Sequence, residues 1–185
     1  AGFKNQIETR LYASIKVFVF TLFGSAFMLL GFLGLYYRGN RTFSIPELIE
    51  LGTNGAFTGT FAMLVFAVLF LGFAVKVPMW PLHTWLPDAH TAAPTVGSVL
   101  LAAILLKLGS YGFVRIAIPI LPEQAKAWAP AIAILSAIGI IYGSLACLAQ
   151  TDLKRLIALS SVGHMGFVML GIASLTPIGI NAAMI

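Results

Sequence analysis

Five stretches of this 185-residue chain are apolar over the length that a bilayer core demands. A core of about 30 Å needs roughly 20 residues of helix, and the runs near 12–37, 56–80, 95–116, 131–149 and 156–175 meet that requirement. Residues after Pro177 begin a sixth. Lipid offers no hydrogen bonds, so a spanning segment must satisfy its backbone internally, and helices of this length do so. Only 9% of the residues are charged, against about 25% in soluble domains. The expected fold class is an all-α polytopic membrane protein, with residues 1–185 forming one transmembrane domain. The chain does not begin with Met and stops inside an apolar stretch, "TPIGINAAMI", so a piece of a longer polypeptide is expected.

A net charge of +5 in such a chain fits loops facing one leaflet better than nucleic-acid binding. Threading the chain through five crossings puts Lys4, Arg10, Lys16, Lys154 and Arg155 on one side and Arg38, Arg41, Arg115 and Lys126 on the other. The bias favours the first side as cytoplasm or matrix. The single Cys147 lies in an apolar run, so no disulfide framework exists and no iron–sulfur cluster can be held. Walker, Rossmann, CxxC and HExxH patterns do not occur.

One stretch breaks the apolar pattern: "KVPMWPLHTWLPDAHTAAPT", residues 76–95, directly after "FTGTFAMLVFAVLFLGFAV". Pro78 and Pro81 remove two N–H donors, which predicts a broken helix with carbonyls of Ala74 or Val77 lacking their helical partners. Such breaks are tolerated in lipid where they face protein or water, and they recur at ion sites of transporters. Lys76 sits at the break. It either snorkels to the interface or supplies an ionisable group.

Lys107, in "GSVLLAAILLKLGSYGFVRIAI", falls near the centre of its run. A lysine there costs about 2.5–3.5 kcal/mol on insertion scales, so a structural ion pair or proton or cation translocation must account for it. Gly109 and Gly112 would admit a close helix. His164, in "SSVGHMGFV", reads either as a packed core histidine or as a relay, since one ring nitrogen donates while the other accepts. His83 and His90 with Asp88 between them lack a fourth metal ligand and a shared helical face, so no metal is expected. Asp88 and His90 are expected to end the broken helix and cap the next, and Asp152 to cap at an interface. Trp80, Trp85 and Trp128 suit interfacial anchoring.

Taken together, "KVPMWPLHTWLPDAHTAAPT", "LLKLGSYGFVR" and "QTDLKRLIALSSVGHMGF" resemble the antiporter-like, proton-translocating membrane subunits of complex I, M type or chain 4. The resemblance covers essentially all of the chain. It implies an antiporter-like helix bundle in which Lys76 matches the lysine of the broken seventh helix and Lys107 that of the eighth. His83 then matches a histidine just past the break and His164 the histidine of the tenth helix. In the family the broken-helix lysine pairs with a glutamate on a helix that would precede Ala1. The implied activity is proton translocation within an NADH- or ferredoxin-dependent quinone oxidoreductase, the redox chemistry lying in other subunits. No cofactor is expected in this chain; flavin, iron–sulfur centres and quinone belong to partner subunits, and the remaining partners are lipid, protons and water. The form of "HTAAPTVGS" favours a bacterial cell membrane or a cyanobacterial thylakoid over the mitochondrial inner membrane. A Na⁺/H⁺ antiporter subunit, a membrane-bound hydrogenase subunit and a structural scaffold without pumping are the alternatives.

Overall fold

The computed structural model describes residues 2–185, with side chains from residue 8 onward; the Lys4 side chain lies outside the described residues. Eight helical elements follow one another: α1 (Gly2–Arg38), α2 (Ile45–Thr53), α3 (Gly59–Lys76), α4 (Trp85–Ala92), α5 (Thr95–Ile120), α6 (Pro122–Leu148), α7 (Leu153–Ala173) and α8 (Pro177–Met184). No strand occurs among the described residues. The stretches Glu8–Arg38, Gly59–Lys76, Thr95–Ile120, Pro122–Leu148 and Leu153–Ala173 are long and apolar enough to cross a membrane.

α3 is apolar on every face, and an all-round apolar helix belongs inside a bundle. It does lie there: Ala62, Phe66, Leu69, Phe73 and Ala74 are buried, with α1 on one flank and α5 on another. α6 and α7 form the other closely packed pair, and α4 bridges the two halves by touching both α1 and α7. Most of the outward faces of α1, α5 and α6 carry large exposed apolar side chains such as Phe18, Leu22, Ile104, Ile134 and Ile141. Contiguous apolar surface on that scale belongs against lipid or other protein.

The pair α6–α7 closes at Gly143. A Cβ there would stand 2.9 Å from the Gly163 nitrogen and 3.2 Å from the Leu159 carbonyl oxygen, so backbone meets backbone with no room for a side chain. Small residues at such crossings let helices approach where no hydrophobic drive separates lipid from protein. Asp152 caps α7 as its position before "LKR" predicts, its Oδ1 accepting from the Lys154 N–H at 2.8 Å.

The stretch "AIPILPEQAKAWAP", between the third and fourth expected spans, is not a loop: α5 runs to Ile120 and α6 starts at Pro122, with Leu121 alone between them. Proline is at home in a first helical turn, where its missing N–H has no helical partner to lose. Pro130, inside α6, deprives the Lys126 carbonyl of its donor on an exposed face of the helix. Nor does Trp85 anchor at an interface. It is 1% exposed and belongs to the core.

Candidate functional site

The helix that begins at Gly59 stops at Lys76, and the chain resumes helical form only at Trp85. Pro78 has no N–H to offer the Ala74 carbonyl. The Met79 N–H takes its place, reaching back to Ala74 O at 3.0 Å. That reassignment robs the preceding pattern by one residue: Met79 would have served Val75, whose carbonyl is now free of a backbone donor. The Trp85 indole fills the vacancy, Nε1 donating to Val75 O at 3.1 Å. The break at Lys76 is therefore as expected, but the carbonyl handed to a side chain is that of Val75. A buried carbonyl without a partner costs about 1–3 kcal/mol. Trp85→Phe, which keeps the ring bulk and removes the donor, is expected to lower the thermal unfolding midpoint of the detergent-solubilised subunit. An unchanged midpoint would show that water takes over the Val75 carbonyl.

Lys76 is half-buried and backs onto α5. A Cβ at Gly109 would come within 3.1 Å of the Lys76 Cβ and 2.5 Å of Val77 Cγ2, so the glycine lets α5 press against the break. Gly112 does the same for the Phe73 ring. Two residues before Gly109 stands Lys107. It follows a π-helical turn, Leu101–Leu105, and its Nζ donates to the Ala102 carbonyl at 2.8 Å. π-turns of this kind within α-helices are frequent at functional sites. Lys107 is exposed on a groove of about 450 Å³ shared with Ser110, Tyr111 and Arg115 of α5 and Met165 and Val168 of α7.

His164 does not reach that groove. α7 buries Ala158, Leu159, Val162, Met165 and Met169 against its neighbours, and the helical period leaves His164 exposed, one turn before Val168. Within the described residues it is thus exposed, and it is not among the residues that line the Lys107 groove.

His83 occupies a different place. It is 4% exposed, its Nδ1 has no hydrogen-bond partner among the described residues, and the Tyr142 ring lies edge-on at 4.9 Å between centroids. It borders a polar cavity of about 210 Å³ whose wall includes Lys16, Asp88, Tyr142, Gln150 and Arg155. Asp88 is no cap. Its carboxylate binds the Lys16 ammonium at 2.6 Å and has the Arg155 guanidinium 3.8 Å away. His90 is buried too, and its carbonyl accepts from Ser98 Oγ at 3.3 Å. No group of three or more His, Cys, Asp or Glu capable of holding a metal occurs among the described residues.

The four titratable residues expected from sequence thus fall into four places: Lys76 at the break, Lys107 on the α5–α7 groove, His83 in the polar cavity, and His164 apart. Sequence reasoning missed the Lys16–Asp88–Arg155 cluster. The signal was available, because Lys16 lies inside an apolar run, where an ionisable side chain needs a partner.

A bundle of membrane-length helices with one interrupted at a lysine and a second lysine beside it defines an antiporter-like membrane subunit. The model of the family "NADH:quinone oxidoreductase/Mrp antiporter, TM" matches residues 1–185, and the chain belongs to that family. It is 47% identical over 181 residues to the NADH-quinone oxidoreductase subunit M of Rickettsia bellii, covering 96% of this chain and 35% of that protein. It is 43% identical over 178 residues to the NADH-ubiquinone oxidoreductase chain 4 of Mycosarcoma maydis, covering 96% and 36%. Among solved structures, the respiratory complex I of Thermus thermophilus with bound NADH contains a chain that superimposes with a TM-score of 0.81 at 32% identity, over 99% of this chain and 37% of that one. The chain therefore spans about a third of the length of the curated relatives it matches. It is an integral membrane protein of the M or chain 4 type. The close identities of the two relatives lend no weight to the bacterial or cyanobacterial source expected from "HTAAPTVGS".

Proposed function

We propose that the chain is part of a proton-translocating membrane subunit of a complex I-type quinone oxidoreductase, coupling quinone reduction in partner subunits to proton movement through Lys76, Lys107, His83 and His164. The observation that carries this reading is the placement of Lys76: it ends a helix interrupted inside the bundle and packs against the glycine two residues beyond Lys107. Two cations held in adjacent turns of neighbouring helices repel each other, so the charge state of one affects the proton affinity of the other. A lysine that is neutral part of the time is a proton carrier, and the π-turn carbonyl of Ala102 gives the ammonium form of Lys107 a resting contact.

His83 and His164 then serve as relays at some distance from the lysines. Flavin, iron–sulfur centres and quinone would reside in partner subunits, a division that fits a chain with one cysteine. The family also includes Mrp antiporter subunits, which makes sodium-coupled exchange the reading to separate.

The test uses the full-length subunit in its assembled complex, reconstituted into vesicles containing a pH-sensitive dye. Quinone reduction should drive proton translocation whether or not sodium is present. Lys76→Ala should lower the protons moved per electron severalfold while the redox arm stays assembled. Translocation that vanishes when sodium is replaced by choline would favour the antiporter reading instead.

A further inference from the structure

We propose that the notch between the first turns of α3 and α6 binds the headgroup of an aminophospholipid, a membrane lipid that carries a phosphate diester and a primary ammonium. The site stands apart from the proton-translocation reading, because it uses neither Lys76 nor Lys107.

The notch holds about 460 Å³ and is lined by Gly59, Thr60 and Met63 of α3 and by Glu123 and Gln124 of α6. It lies at the end of the bundle where α1 and α5 finish and α3 and α6 begin, which is the level of a membrane boundary. The first turn of a helix has N–H groups with no acceptor inside the helix. At α3 the residue in the capping position, Thr58, accepts none of them with its side chain. Gly59 has a φ of 69°, where a side chain would be strained, and a Cβ there would meet nothing within 4 Å. Bare backbone therefore faces open space. Gln124 is a second and independent signal. It is 7% exposed and forms part of the wall, yet its side-chain amide has no hydrogen-bond partner among the described residues. A largely buried amide in that position calls for a ligand or water to complete it.

Glu123 selects the ligand. A helix N-terminus with its free N–H groups suits a phosphate, but a bare anion would be repelled by the Glu123 carboxylate on the opposite wall. Glu123 is exposed and in no ion pair among the described residues. An anion that brings its own cation resolves the conflict. Its phosphate accepts from the first turn of α3, the Thr60 hydroxyl and the Gln124 amide, while its ammonium donates to Glu123. A choline headgroup has no N–H to donate, and a glycerol headgroup has no cation. The surface below the notch suits the rest of such a molecule. Met63, Leu64 and Leu71 share the Thr60 face of α3, Ile134 and Ile138 share the Glu123 face of α6, and all five are exposed. Trp128, one turn into α6 from Gln124, donates from Nε1 to Met63 Sδ at 2.9 Å and ties the two helices at that depth. Tryptophan collects at the headgroup level of a bilayer.

The experiment uses the full-length subunit in its assembled complex, reconstituted into vesicles. These contain phosphatidylethanolamine, phosphatidylcholine or phosphatidylglycerol probes of one acyl composition, each with a photoactivatable diazirine high on one chain. Cross-links are mapped by mass spectrometry to the peptides that contain Met63 and Ala127. The exposed α1 face around Phe18 and Leu22 is the reference for lipid without a site. The ethanolamine probe should label the notch about two- to fivefold more than the choline probe, the range a partly exposed ion pair supplies, and the glycerol probe should label it least. No such order should appear on α1. Glu123→Gln should bring the ethanolamine probe down to the choline level, and Glu123→Asp should keep the preference. Gln124→Leu should lower the ethanolamine and choline probes alike. Equal labelling of the notch by all three probes would overturn the site. So would labelling of α1 with none at the notch, which would mean that protein covers it. An ethanolamine preference that persists in Glu123→Gln would overturn it as well, and this exposed position decides the matter even where Gln124→Leu fails to assemble. Lys76→Ala should leave these cross-links unchanged whatever it does to pumping, so the lipid site and the translocation reading fail separately.

Discussion

Replacing Lys107 with alanine should abolish most coupled proton translocation while the redox arm of the complex remains assembled. The physical basis is position: Lys107 is carried by a membrane-spanning helix, next to the packed break at Lys76, with a resting contact to the Ala102 carbonyl. If it passes protons, its loss removes an obligatory carrier that neighbouring hydroxyls such as Ser110 cannot replace. Lys107→Arg should be nearly as damaging, because a guanidinium keeps its proton under all physiological conditions and cannot exchange it. It would nevertheless preserve a purely structural cation. The pair of variants therefore separates the two roles: a structural lysine is rescued by arginine, a proton carrier is not. The measurements are dye-reported proton translocation and quinone reductase turnover in membranes containing each variant, with complex assembly checked on native gels. Parent stoichiometry in Lys107→Ala would mean that the lysine is dispensable for translocation.

Gly143→Leu should prevent the subunit from accumulating in the complex. An ideal Cβ at Gly143 already meets the Gly163 nitrogen and the Leu159 carbonyl, atoms that cannot swing aside as a flexible side chain could. Overpacking a core costs typically about 1–3 kcal/mol, and a leucine adds three further carbons beyond the offending Cβ. α6 would have to move away from α7, carrying Tyr142 and Gln150 away from the His83 cavity. Gly139→Ala is the matched control on the same helix. A Cβ there meets nothing within 4 Å, and alanine removes the entropic cost of glycine in a helix, about 1 kcal/mol. Subunit levels in purified membranes should fall sharply for Gly143→Leu and hold for Gly139→Ala. Equal levels would show that α6 and α7 can separate without loss.

Much of the architecture was legible because bilayer thickness translates directly into run length. The five spans, the all-α class, the break at Pro78 and the cap at Asp152 follow from local rules: hydrophobic length, a missing N–H, a carboxylate before a helix. The family resemblance in "KVPMWPLHTWLPDAHTAAPT" and "QTDLKRLIALSSVGHMGF" extended those rules to expected roles for Lys76, Lys107, His83 and His164. Local rules do not reach across the bundle. Asp88 reads as a helix terminator because its sequence neighbours are a proline and an alanine, yet its partner Lys16 is seventy-two residues away. Trp85 reads as an interface anchor because tryptophans collect there, yet the Val75 carbonyl ten residues earlier recruits it into the core.

The sequence by itself determined which segments must be helical and which residues are too costly to be idle in lipid, since both depend on transfer free energies that each residue carries with it. The tertiary structure alone decided the pairings. Whether Met79 serves Ala74 or Val75, whether His83 meets water or Tyr142, whether His164 points inward, and which cation holds Asp88 depend on which helix faces which. That is set by the close approaches at Gly109, Gly112 and Gly143, contacts whose backbone geometry no single stretch of sequence encodes.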